Sequence, residues 1–264
     1  MSQINEASLN DLVDAWNASP FPSIKTSSYF RPYVKEFSHL RGQECTFVET
    51  GILDGGSLFM WRKWLGDGAR IIGIDMNPEA RKWEREGFEI HIGDQGDPAF
   101  WRKTLPAIGH IDGFLDDGGH QSFQQIVTVR ELIAFLESRC VIVVEDTYTS
   151  FMNDFAAHGN HSFLEFAKDA TDCVLGRSFG LYPGRFPKPH NLDAIKSFQK
   201  VFAINFYSGI VAFQIDPSSC VEPKIVRNKV PAGASDYRYQ GMESAVVDWP
   251  NVLAKEVVLV KGGQ

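Results

Sequence analysis

From Thr46 to Val144 the chain alternates short apolar runs with helix-length segments, and this alternation constrains the fold more than any other feature of the sequence. The runs are Thr46 to Glu49, Arg70 to Asp75, Phe88 to Ile92, Ile111 to Leu115 and Val141 to Val144. Strands joined by helical crossovers pair in parallel, and a sheet built that way needs helices packed on its faces. Between the runs, Ser57 is placed to cap a helix carrying Leu58, Trp61 and Leu65, and Asp97-Pro98 supplies an N-cap with proline at the first helical position. Phe123, Ile126, Val129, Ile133 and Leu136 recur at the spacing of a helix stripe. Val201 to Phe206 and Ile210 to Ile215, joined by Tyr207-Ser208-Gly209, read as an antiparallel hairpin that closes the sheet edge. The expected fold class is α/β, with parallel strands and an antiparallel C-terminal hairpin.

Residues 1–45 precede the sheet as a helical cap. Leu9 to Trp16 is amphipathic, Ser19-Pro20-Phe21-Pro22 is a turn, and Tyr29-Phe30 and Tyr33 to Phe37 are aromatic. Residues 46–216 hold the sheet, with a loop near 151–198 able to cover a substrate. Residues 217–264 form a C-terminal extension, in which Val257 to Val260 has the pattern of a last strand.

The 264 residues carry 26 Lys and Arg against 33 Asp and Glu, a net charge of −7 that leaves no global field to attract nucleic acid or an anionic membrane. No run approaches the ~20 apolar residues of a membrane helix, and Met1 to Glu6 lacks the character of a secretory signal. A cytoplasmic protein is expected, without a membrane span or a nucleic-acid partner and open to forming a homo-oligomer. Cys45, Cys140, Cys173 and Cys220 include no CxxC pair and read as reduced thiols.

The chemistry gathers at the ends of the runs. Glu49-Thr50-Gly51-Ile52-Leu53-Asp54-Gly55-Gly56-Ser57 is a strand end passing through a glycine turn into a helix, where backbone can approach a ligand closely. Its spacing is not the GxGxxG that seats a pyrophosphate, and Glu49 suits an ammonium group. Asp75 ends the second run, where a carboxylate can accept both hydroxyls of a ribose. Gly93-Asp94-Gln95 ends the third, where an acid and an amide can read an adenine edge. Asp116 and Asp117 end the fourth run and Glu145 and Asp146 the fifth. Four carboxylates converging on one volume repel one another unless a cation neutralises them, and oxygen donors select a hard ion, Mg²⁺ before Mn²⁺ or Ca²⁺. His120 stands beside this cluster as a candidate general base.

Taken together, Glu49 to Ser57, Gly73-Ile74-Asp75, Gly93-Asp94-Gln95, Asp116-Asp117-Gly118-Gly119-His120 and Val144 to Ser150 resemble the metal-dependent S-adenosylmethionine O-methyltransferases of macrolide sugars, the mycinamicin and macrocin type, and their bacterial polysaccharide relatives. The likeness covers residues 24 to 155. It departs from the pattern at Gly119, where Ser is more usual, and at Tyr148. The resemblance implies a class I methyltransferase Rossmann-like sheet, with 46–216 as the S-adenosylmethionine-binding catalytic domain. It also implies Mg²⁺ held by Asp117, Glu145 and Asp146, and methyl transfer to a sugar hydroxyl of a glycan or glycosylated natural product. His120 is then the base, with Asp117 in that role in relatives of the macrocin type. Glu49, Gly51, Gly55, Ser57, Asp75, Asp94, Gln95 and Asp116 are the implied cofactor contacts. Competing readings are an oxidative enzyme resembling cephalosporin hydroxylases and a non-catalytic glycan-binding relative. A nicotinamide oxidoreductase lacks its glycine fingerprint here.

Overall fold

A computed structural model describes residues 6–155, 161–177, 198–221, 225–227 and 246–248. Two compact units are present, the first comprising Met1–Val174 and Asn191–Cys220 and the second Leu175–His190 and Val221–Gln264. In the second, β8 (Ile225–Arg227) and β9 (Val246–Asp248) pair in parallel. The segment Val257 to Val260 lies outside the described residues, as does much of the loop expected near 151–198.

The first unit is a seven-stranded sheet. Its strands are β1 (Cys45–Thr50), β2 (Ala69–Asp75), β3 (Glu89–Ile92), β4 (Gly113–Asp116), β5 (Cys140–Val144), β6 (Val201–Tyr207) and β7 (Ile210–Ile215). They lie in the order β3-β2-β1-β4-β5-β7-β6. The first five are parallel, and β7 runs antiparallel to both β5 and β6, so the expected hairpin closes the edge. Alternate side chains of each strand leave by opposite faces. Phe47, Ile71, Leu115, Val143 and Ala212 enter one core, while Val48, Ile72, Phe114, Ile142 and Phe213 enter the other.

On the first face lie α1 (Glu6–Asn17), α2 (Phe30–Phe37) and α3 (Gly56–Leu65). Trp61 of α3 is fully buried and meets Tyr33, Phe37 and Phe47 edge-on or tilted. The second face carries α4 (Pro98–Ile108), α5 (Ser122–Phe135) and α6 (Phe163–Gly176). Asp97 caps α4 as expected, its side chain accepting from Ala99 N at 2.8 Å. Ser57 does not cap α3, whose N-cap is Gly55 in the left-handed conformation. The stripe expected along α5 is buried at Val129, Ile133 and Leu136, and Ile126 packs against the same core, whereas Phe123 is exposed at the helix start.

Residues ahead of the sheet join it through buried polar groups. Glu36 of α2 accepts from Asn205 Nδ2 at 2.9 Å, Gln214 Nε2 at 3.1 Å and the Tyr207 hydroxyl, so the cap is tied to the C-terminal hairpin. Cys45 and Cys140 are buried thiols on core strands. Among the described residues, no helix is long and apolar enough to cross a membrane.

Candidate active site

Register brings the expected residues to one level. Thr50 lies opposite Asp116, and Asp116 opposite Val144. The next residue of each chain, Gly51, Asp117 and Glu145, therefore leaves the sheet at the same height. Asp117 N donates to Thr50 O and Glu145 N to Asp116 O, both at 2.9 Å, which carries the ladder one step beyond the strands. A cavity of about 410 Å³ opens over these ends, within the range of small-molecule sites.

Gly51, Asp75, Asp94, Gln95, Asp117, His120 and Asp146 line it. Gly51 sits at φ +81°, and a Cβ there would fall 2.0 Å from Asp117 O, so only glycine lets the turn press against β4. Asp75 is fixed by backbone, accepting from Ile52 N at 3.1 Å and Asn77 N at 2.8 Å. Gln95 is held on both ends. Its amide nitrogen donates to Asp116 Oδ1 at 2.9 Å, and its oxygen accepts from Gly119 N at 2.9 Å. Asp116 is wholly buried and does not line the cavity; it orients Gln95 and receives Gly118 N. Burial pushes its carboxyl up to about 6, against the Gln95 and Gly118 hydrogen bonds. Gly55 and Ser57 also lie off the cavity. Ser57 Oγ instead donates to Glu49 Oε2 at 2.7 Å.

The sequence reading missed Lys25. Its ammonium is buried and donates to Asp117 Oδ2 at 2.5 Å and to Glu49 Oε1 and Glu145 Oε1 at 3.2 Å each. Glu49, expected to meet the ammonium of a ligand, meets that of Lys25. Burial alone would lower the Lys25 ammonium, but Asp117, Glu145 and Glu49 outweigh it and hold it well above its usual value. Burial raises Glu49 and Glu145, against the pull of Lys25. The Tyr33 hydroxyl donates to Glu145, and Tyr29 Oη donates to Asp146 Oδ1 at 2.5 Å. The cap thus supplies three side chains to the acid cluster, and the acids at the strand ends gave no sign of them.

Asp117, His120 and Asp146 each offer a donor atom within 4.8 Å of the other two, close enough for one metal ion. Glu145 is not in that trio, its carboxylate being turned to Lys25 and Tyr33. His120 Nε2 stands 3.4 Å from Asp146 Oδ2, and its buried Nδ1 has no hydrogen-bond partner among the described residues.

A five-strand parallel run closed by an antiparallel hairpin, with a ligand cavity at the carboxyl ends of the strands, is the class I methyltransferase Rossmann-like fold. The MycE methyltransferase from the mycinamycin biosynthetic pathway, solved in complex with Mg and SAH, shares it. The TM-score is 0.67 at 19% identity, covering 88% of this chain and 57% of that one. A complex of the same enzyme with Mg, SAH and mycinamycin VI superposes with a TM-score of 0.63 at 19% identity, over 79% of this chain and 54% of the other. In sequence, the chain is similar to the 8-demethyl-8-alpha-L-rhamnosyl tetracenomycin-C 2'-O-methyltransferase of Streptomyces olivaceus. The two are 30% identical over 172 residues, which are 61% of this chain and 44% of the relative. The chain therefore spans less than half the length of that curated relative. No family model matches it.

Proposed function

We propose that the chain is an S-adenosylmethionine-dependent O-methyltransferase that acts, with Mg²⁺, on a sugar hydroxyl of a glycosylated natural product. The observation that carries this reading is one cavity lined both by Asp75 and Gln95 and by the cluster of Asp117, His120 and Asp146. The relatives supply the chemistry by name: one methylates a rhamnosyl tetracenomycin, and the other was solved with Mg, SAH and a mycinamycin.

The residues fit both groups. Asp75 keeps lone pairs free for ribose hydroxyls beyond those used by Ile52 N and Asn77 N, and Asp94 and Gln95 border the same space. Asp117 and Asp146 would hold the metal, and Glu145 would join them only by exchanging its Lys25 and Tyr33 contacts. Mg²⁺, when bound, supplies a Lewis acid that lowers the pKa of an acceptor hydroxyl. His120 Nε2 is the atom placed to take the hydroxyl proton, since Nδ1 is sealed from solvent. Asp146 Oδ2, 3.4 Å away, stabilises the imidazolium that results.

The test is direct. The protein is incubated with S-adenosylmethionine, Mg²⁺ and a panel of acceptors, the rhamnosyl tetracenomycin among them, and products are read by mass. Addition of one methyl to a glycoside, lost with chelator, is the expected result. Failure to bind S-adenosylhomocysteine by calorimetry removes the reading.

A further inference from the structure

Two of the three clustered residues, Asp117, His120 and Asp146, stand on backbone that side chains with a Cβ seldom adopt. His120 has φ +56° and Asp146 φ +52°, both left-handed. They belong to different turns, one after β4 and one after β5. A single hydroxyl joins them. Thr149 Oγ1 lies 2.9 Å from His120 O and 2.8 Å from Asp146 O, and its one hydrogen serves both carbonyls. Thr149 N also donates to Asp146 O at 2.9 Å. The side chain is almost wholly buried and stands behind the cavity, whose lining does not include it.

We propose that Thr149 is a positioning residue. Its hydroxyl staples the His120 turn to the Asp146 turn and so fixes the spacing of the His120 imidazole and the Asp146 carboxylate. A carbonyl carries its own residue's orientation, and a left-handed residue is held only if its surroundings over-determine it. Asp146 O is also met by Thr149 N, whereas for His120 O the donor among the described residues is the Thr149 hydroxyl, so that hydroxyl is what links the two turns. Glu145 and Lys25 make no contact with either carbonyl, so the carboxylate cluster on the other side of the site does not duplicate the staple. This inference rests on the proposed reading of the site for its metal arm and on the structure alone for its geometric arm.

The test compares wild type, Thr149→Ser and Thr149→Val. Valine matches threonine in shape, so the fold is expected to stand, checked by thermal melting. Calorimetry gives the affinity for S-adenosylhomocysteine, and Mn²⁺ affinity is read by electron paramagnetic resonance. A crystal structure of the valine variant gives the separation of His120 and Asp146. The expected result is Mn²⁺ affinity at least tenfold weaker in Thr149→Val, S-adenosylhomocysteine affinity within threefold of wild type, and recovery in Thr149→Ser. In the crystal the two side chains move apart. Unchanged Mn²⁺ affinity in the valine variant overturns the proposal, as does equal loss of both ligands or absence of rescue by serine. Should wild type itself bind no Mn²⁺, the metal reading of the site fails, and the crystal decides the staple: an unmoved His120–Asp146 pair overturns it and a separated pair upholds it.

Discussion

The ammonium of Lys25 lies 2.5 Å from Asp117 Oδ2, although 92 residues separate them along the chain. Lys25 therefore acts as the resident cation of the acid cluster, bonded at once to three carboxylates that reach it from β1, β4 and β5. Removing one partner from a buried ionic group leaves uncompensated charge, which costs about 3–5 kcal/mol. Lys25→Met is expected to lower stability by an amount in that range, read by urea unfolding at pH 7. Pairing it with Glu49→Gln should recover part of the loss, a coupling that a double-mutant cycle measures. A loss below about 1 kcal/mol in the single variant would show that the acids are held by something else.

Cofactor affinity is expected to depend on Asp75. Asp75→Ala removes a charged acceptor, a loss of about 1.5–3 kcal/mol per hydrogen bond, and S-adenosylhomocysteine binding should weaken about tenfold or more by calorimetry. The same side chain also braces Ile52 N and Asn77 N. Asp75→Asn keeps only one of the two acceptor oxygens, so thermal melting run beside the calorimetry separates loss of the brace from loss of the ribose contact.

Metal dependence is expected to follow Asp117 and Asp146. Chelation should abolish activity and Mg²⁺ or Mn²⁺ restore it. Asp146→Asn should weaken Mn²⁺ binding while leaving S-adenosylhomocysteine binding intact, since Asp146 stands on the His120 side of the cavity. Full turnover in excess EDTA after dialysis would contradict the assignment.

For His120, replacement by Ala should keep the fold and the cofactor and lose roughly 10²- to 10⁴-fold in turnover with the acceptor found by the panel. His120 is left-handed, so His120→Gly should be more stable than His120→Ala by about 1 kcal/mol, because glycine alone adopts that backbone freely. Equal stability of the two would mean that the turn relaxes in solution.

A pH effect is expected at the far end of β7. Burial would raise the Asp216 carboxyl, but the Ser218 and Ser219 hydroxyls and the Arg139 guanidinium outweigh it and hold it down at about 2. A carboxyl with a depressed folded pKa contributes stability that is present above about pH 4 and lost as the pH falls towards 2. Asp216→Asn should therefore destabilise the protein at pH 7 by about 2 kcal/mol, with the difference vanishing near pH 2. A constant difference across that window would exclude the carboxylate charge as its source.

The strands and the acids at their ends were legible because each rests on local pattern. Apolar runs mark β1 to β5, and the residues that follow a parallel strand reach the ligand edge, as Asp117 does one residue after β4 and Asp146 two residues after β5. What local pattern does not carry is which distant group answers a buried charge. Lys25 sits in an irregular segment with no periodicity to single it out, and its partners are reached only through the assembled sheet. Glu49 was legible as a group that wants an ammonium but not as one already supplied. Ser57 follows a glycine turn and looked like a cap, yet Gly55 in the left-handed conformation starts α3 and frees the hydroxyl for Glu49. The left-handed backbone at His120 and Asp146 leaves only a faint mark in residue type, since Asp and His adopt it more often than other residues with a Cβ but far less freely than glycine.

The tie between Glu36 and the C-terminal hairpin bears on the order in which a ribosome delivers this protein. The acceptor on α2 leaves the exit tunnel before its donors Asn205, Tyr207 and Gln214, which follow 169 to 178 residues later. Until they emerge, the nascent cap carries a carboxylate that no completed part of the chain can satisfy, and contacts of such long range are slow to close. The α2 side of the cap is thus fastened at Glu36 only after a hairpin made much later in the chain has followed it.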